Sequence, residues 1–195
     1  MKRIFSLFLV LAALTAALLV FPACGDKPDT STHRVAIEVQ DYGTIELELS
    51  PTKAPITVAN FEKLVKEGFY DGLTFHRVVK NFMIQGGDPK GDGSGGSDKT
   101  IKGEFSQNGF TRNDIKHERG VISMARSSSS NDSASSQFFI MHGDAPYLDG
   151  SYAAFGRVTS GMDVVDAIAN VKVKDNGSGE TSTPAKPVVI TRMYM

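Results

Sequence analysis

The chain has 195 residues, 41% of them hydrophobic and 22% charged, a balance that suits one globular domain with a short appendage. A formal net charge of −1 and the lack of any arginine-rich run leave no basic footprint, so nucleic acid is not an expected partner. Cys24 is the only cysteine, which excludes an intramolecular disulfide, and His33, His76, His117 and His142 show no metal-ligand spacing, so neither a metal nor a cofactor is expected.

Lys2 and Arg3 precede an uncharged apolar run over residues 4–23, the layout of a secretory signal. The run approaches the ~20 residues that can span a bilayer, so an uncleaved N-terminal anchor is the alternative. Cys24 follows the small Ala23 and is followed by Gly25 and Asp26, which resembles the lipobox of bacterial lipoproteins, with Pro22 as a departure. That resemblance implies removal of residues 1–23, lipid on Cys24 and residence outside the cytoplasm on the bacterial membrane. Residues 24–33 hold nothing apolar to bury and read as a solvated, lipid-attached tether.

The folded domain is expected over residues 34–195. Val35, Ile37 and Val39 alternate with small or polar residues; Asp41-Tyr42-Gly43 turns the chain, and Ile45, Leu47 and Leu49 alternate with glutamates. This predicts a half-buried antiparallel hairpin. Pro51 and Pro55 break the second strand, and a helix follows to about Glu67, with Ala54, Val58, Phe61, Leu64 and Val65 on its core face and Gly68 in the C′ position.

Residues 75–88, FHRVVKNFMIQGGD, read as two short β-runs joined at Lys80-Asn81. Strict alternation would put Phe75, Arg77 and Val79 on one face and His76 and Val78 on the other, leaving a guanidinium in line with an aromatic ring. Residues 86–103 are glycine-rich but lack the spacing of a phosphate loop. Residues 105–118 read as further loop. Residues 127–136 are serine-rich; by composition alone they would be a linker. Residues 162–169 predict a short helix with Ser160 as N-cap and Asp163 completing a capping box. Val188, Val189 and Ile190 supply a closing strand.

Three blocks of this chain resemble the cyclophilin-type peptidyl-prolyl isomerases. They are Phe75-His76-Arg77-Val78-Val79 with Phe82-Met83-Ile84-Gln85-Gly86-Gly87-Asp88; Gly120-Val121-Ile122-Ser123-Met124-Ala125 with Ser136-Gln137-Phe138-Phe139-Ile140; and Tyr147-Leu148-Asp149-Gly150 with Phe155-Gly156-Arg157-Val158. The resemblance implies a mainly β fold, a closed eight-stranded antiparallel barrel capped by two α-helices. It also implies that the glycine-rich and serine-rich stretches are loops bordering a substrate groove. Tyr147 stands where many members have Trp, and Tyr152 where many have His.

The activity so implied is rotation about an X-Pro amide, for which Arg77 and Gln85 are the expected catalytic residues. Phe82, Met83, Phe139 and Leu148 are expected to hold the proline ring. Ala125, Arg126, Gln137, Tyr147 and Tyr152 complete the expected binding surface, with the Arg126 backbone and Gln85 fixing the substrate by hydrogen bonds. Partners would be proline-containing, unfolded or exported polypeptides, met by a monomer. A binding module that holds such segments without turning them over is the other functional class, and the Arg77, Phe82, Gln85 and Phe139 set favours the enzyme.

Overall fold

A computed structural model of the protein describes residues 33–195. The expected signal, the expected lipidation site at Cys24 and all of the expected tether except His33 lie outside the described residues. β1 (Arg34–Val39) and β2 (Gly43–Leu49) form the expected hairpin, in register from Arg34 opposite Glu48 to Val39 opposite Gly43. α1 (Pro55–Lys66) starts on a proline whose fixed φ suits the first helical turn, and ends before Gly68 at φ 67°. Phe61 carries its core face, packing 5.0 Å from the ring of Phe155, 5.2 Å from Tyr70 and 5.6 Å from Phe138.

β3 (Arg77–Val79), β4 (Met83–Gly86), β5 (Val121–Met124), β6 (Phe138–Met141) and β7 (Ala154–Ser160) follow. Then come α2 (Met162–Ala169), β8 (Val173–Asp175), β9 (Thr181–Pro184) and β10 (Ile190–Tyr194). Among the described residues, eight strands make one antiparallel sheet in the order β10-β1-β2-β7-β5-β6-β4-β3, and β8 pairs only with β9.

The expectation of a closed barrel is corrected: the sheet is open and curled, with β10 and β3 as its ends. The ends approach one another through a single bridge, Thr74 with Val189, helped by Phe75 N–H donating to Val188 C=O and Ile190 N–H to Leu73 C=O. β3 is only three residues long, and Pro187, just before the bridge, has no N–H to donate, so no full ladder can form.

Two further expectations fail locally. Ser160 does not cap α2. It closes β7 opposite Glu46, and the N-cap is Gly161 at φ 85°, where a Cβ would lie 2.2 Å from the Thr44 carbonyl oxygen. Backbone packing against β2 therefore decides the helix start. Phe75 also leaves the face assigned to it: regular strand begins only at Arg77, so Phe75 is buried in the core beside Val78 while Arg77 and Val79 face outward.

Register explains where a site can form. Val78, Ile84, Ile140 and Ile122 stand opposite one another across β3, β4, β6 and β5, and all four lie in the main core. The neighbouring row, Arg77, Gln85, Phe139 and Ser123, therefore projects from the other face. A second, smaller apolar cluster of Met83, Val121, Phe139, Met141, Ala145, Leu148 and Ala154 is built on that face.

Candidate active site

Arg77, Gln85 and Phe139 of that row line a cavity of about 700 Å³. Of the residues expected from sequence, Arg77, Phe82, Met83, Gln85, Ala125, Arg126, Phe139, Leu148 and Tyr152 all line it. Gln137 borders an adjoining cavity of about 460 Å³, together with Ser127, Ser128, Ser133 and Ser135 of the serine-rich loop. Tyr147 is not brought into the cavity. It is 70% exposed on the rim, its ring 6.0 Å from that of Phe82.

Cross-strand neighbours β3 and β4 place Arg77 beside Gln85, and Arg77 Nη1 donates to Gln85 Oε1 at 3.1 Å. Gln85 Nε2 donates to Gln137 Oε1 at 2.8 Å, and Gln137 Nε2 donates to the carbonyls of Gly95 at 2.7 Å and Gly93 at 3.0 Å. This relay orients both amides and ties the glycine-rich loop to the site. Phe82 lies under the guanidinium, with Arg77 Cζ 5.9 Å from its ring centroid.

Arg126 Nε donates to the Ser151 carbonyl at 2.9 Å, and its Cζ stands 4.8 Å from the Tyr152 ring and 5.4 Å from that of Phe105. No described group pairs with the Arg126 backbone N–H or C=O. An extended peptide could bond there. Tyr152 packs edge-on against Phe139 at 5.9 Å, which makes an aromatic corner of the apolar end.

Beneath Phe139 lies an arrangement that looks like a hydrolytic triad. His117 Nε2 is 3.0 Å from Ser123 Oγ, its Nδ1 is 3.1 Å from Asp149 Oδ1, and its ring stacks on Phe139 at 6.0 Å. Ser123 is wholly buried and lines neither cavity, so no substrate carbonyl can reach its hydroxyl. The group is a buttress for the aromatic floor. Because Asp149 is an acceptor, Nδ1 carries the proton and Nε2 accepts from Ser123.

Burial holds the His117 pKa below its ordinary value despite the pull of Asp149. The unfolded chain takes up a proton near pH ~6.5 that the folded chain refuses, so this histidine's contribution to stability falls as pH drops below that point. In an NMR titration the His117 ring should show a midpoint below about 6.5. A midpoint at or above that value would contradict the buttress as described.

Glu180 was not found from sequence. It reaches Arg77 from the tip of the β8–β9 hairpin, Oε2 lying 2.7 Å from Nε and Oε1 2.7 Å from Nη2. The guanidinium holds the Glu180 pKa down to about 2, and the same pair raises that of Arg77, so both stay charged at any ordinary pH. Lys174, Asp175, Asn176, Ser182 and Thr183 of this hairpin also line the cavity. The available signal was Asn176-Gly177 between short β-type runs, a favoured hairpin turn. His76 also lines the cavity, with both ring nitrogens unpartnered among the described residues and its pKa lowered by burial. Among those residues no cluster of three or more His, Cys, Asp or Glu is placed to hold a metal.

Comparison with known proteins shows the family. The sequence model for "Cyclophilin type peptidyl-prolyl cis-trans isomerase/CLD" matches residues 34–195. Peptidyl-prolyl cis-trans isomerase B of Bacillus subtilis is 50% identical over 132 residues, covering 68% of this chain and 87% of its own length. Peptidyl-prolyl cis-trans isomerase A of Dickeya dadantii is 40% identical over 195 residues, covering 97% and 95%. A Cryptosporidium parvum cyclophilin-type isomerase, crystallised in the presence of the dipeptide Ala-Pro, superposes with a TM-score of 0.73 at 30% identity, covering 83% of this chain and 98% of its own. With the family model matching residues 34–195, this chain is a member of the cyclophilin-type peptidyl-prolyl cis-trans isomerases.

Proposed function

We propose that the chain accelerates X-Pro isomerisation in polypeptides that have been exported and are still folding, with Arg77 as the group that stabilises the twisted amide. Rotation about an X-Pro bond has a barrier of ~18–20 kcal/mol because it breaks C–N resonance, and it exchanges over tens to hundreds of seconds unaided. No bond is made or broken. At the twisted geometry the prolyl nitrogen regains a localised lone pair, so a donor aimed at it binds the transition state better than either planar state. The observation that carries this reading is the Arg77 guanidinium, permanently charged and planar, standing in the cavity directly beside the apolar surface of Phe82 and Met83, with Phe139 and Leu148 in the same lining. Proline fits the apolar end. The free Arg126 backbone and Gln85 would hold the chain on either side while the amide turns.

The extracytoplasmic setting rests on the N-terminal sequence. One acyl chain anchors only marginally, at ~0.8 kcal/mol per buried CH₂, so stable attachment needs the two or three chains that lipoprotein-type modification of Cys24 would supply. Residues 25–33 would reach at most about 30 Å when extended, at ~3.3–3.6 Å each, which keeps the domain near the membrane surface. There X-Pro bonds of emerging chains are still mixed in isomer state. Among the described residues no helix is long and apolar enough to cross a membrane.

In a bacterial host the wild-type protein should fractionate with membranes and carry lipid mass at an N-terminal Cys24, and Cys24→Ala should lose the lipid. Wild type without lipid, or both proteins retaining residues 1–23, would replace the lipid anchor with the uncleaved apolar one.

A further inference from the structure

We propose that Glu180 is a positioning residue for Arg77: from the β8–β9 hairpin its carboxylate fixes the plane of the guanidinium and aims its remaining N–H into the cavity. This rests on Arg77 being the donor to the prolyl nitrogen. Nε and Nη2 each stand 2.7 Å from a different oxygen of Glu180, a bidentate pair along one edge. Nη1 bonds to Gln85 Oε1 at 3.1 Å and approaches Met83 Sδ at 3.8 Å. Set against the five N–H groups of a guanidinium, these contacts leave one hydrogen, on Nη2, unpartnered among the described residues. An arginine without such anchors would spread over many rotamers, most of them unable to meet the twisted amide.

The hairpin is built to hold Glu180 still. Asn176 N–H donates to the Glu180 carbonyl at 2.9 Å, and Asn176 Oδ1 accepts from the N–H groups of Ser178 at 2.9 Å and Glu180 at 3.2 Å. β9 packs against β3, the strand that carries Arg77. A carboxylate beside the guanidinium also weakens the charge it can present, which would oppose catalysis. Arg77 and Glu180 side chains are 32% and 39% exposed, so water screens that electrostatic effect, whereas the fixed plane is not screened. Orientation is the larger effect.

The test is a double-mutant cycle on X-Pro peptide isomerisation, with wild type, E180A, E180Q, R77A and R77A/E180A. E180A should lower kcat/KM about three- to tenfold, the loss falling on kcat, while KM stays within about twofold. E180Q, nearly isosteric and still offering one acceptor oxygen, should fall in between. In the R77A background, E180A should change activity by less than about 1.5-fold, because Glu180 acts only through Arg77. An E180A enzyme as active as wild type or more so, a loss confined to KM, or an equal loss in the R77A background would each overturn the assignment. R77A with undiminished activity would instead defeat the donor role of Arg77. R77A impaired with E180A unimpaired would defeat only that of Glu180.

Discussion

Arg77→Ala should lower kcat/KM for X-Pro isomerisation by at least about tenfold while the fold survives. The bond at stake is charge-assisted and is made in the twisted state, and such bonds are worth on the order of 1.5–3 kcal/mol, where each ~1.4 kcal/mol is a factor of ten. Binding should suffer less than turnover, since Phe82, Met83, Phe139 and Leu148 still form the apolar end of the cavity. The fold should tolerate the change because Arg77 is half-buried on the outward face, and the Glu180 carboxylate it leaves behind is 39% exposed and can be met by water. Circular dichroism with an uncoupled isomerisation assay checks both halves. A folded Arg77→Ala protein with wild-type kcat/KM would sink the mechanism.

What the sequence made legible was whatever local periodicity decides. Alternation in residues 35–39 and 45–49 is visible because one side of each strand is buried, and the helix face of Ala54, Val58, Phe61, Leu64 and Val65 is visible because a core follows the 3.6-residue period. Arg77, Gln85 and Phe139 were legible only as a family pattern. The structure supplies the reason they belong together, which is register: they are cross-strand neighbours on β3, β4 and β6. Features that depend on packing between distant segments stayed hidden. Gly161 replaces Ser160 at the start of α2 because the backbone there lies against β2. Tyr147, inside a matching motif, sits exposed on the rim, and nothing in its own sequence says which way a single 3₁₀ turn faces. Glu180 is 103 residues from Arg77 along the chain, and no spacing rule pairs them.

The second large effect expected is on stability, at the Gly86-Gly87 end of β4. Gly87 has φ 82°, a left-handed conformation that costs other residues ~1–2 kcal/mol, and its carbonyl accepts from Ser136 Oγ at 2.7 Å. A Cβ on Gly87 would lie 2.4 Å from the Ser136 carbonyl oxygen and 3.1 Å from ring atoms of Phe138 and Tyr70. Neither side can give way easily. That carbonyl is bonded by Tyr70 Oη at 3.1 Å, and both rings belong to the aromatic cluster around Phe61. Gly87→Ala should therefore add a steric cost to the conformational one, for a total of at least ~3 kcal/mol, or a fall in Tm of roughly 6–12 °C for a domain of this size. Gly93 is the control: its φ is 89°, but a Cβ there meets nothing within 4 Å, so Gly93→Ala should cost only the conformational part, ~1–2 kcal/mol. Thermal and urea unfolding of both variants measures the difference directly. If Gly87→Ala were no less stable than Gly93→Ala, the close approach of the residue after β4 to the Ser136 carbonyl would not be a constraint on the fold.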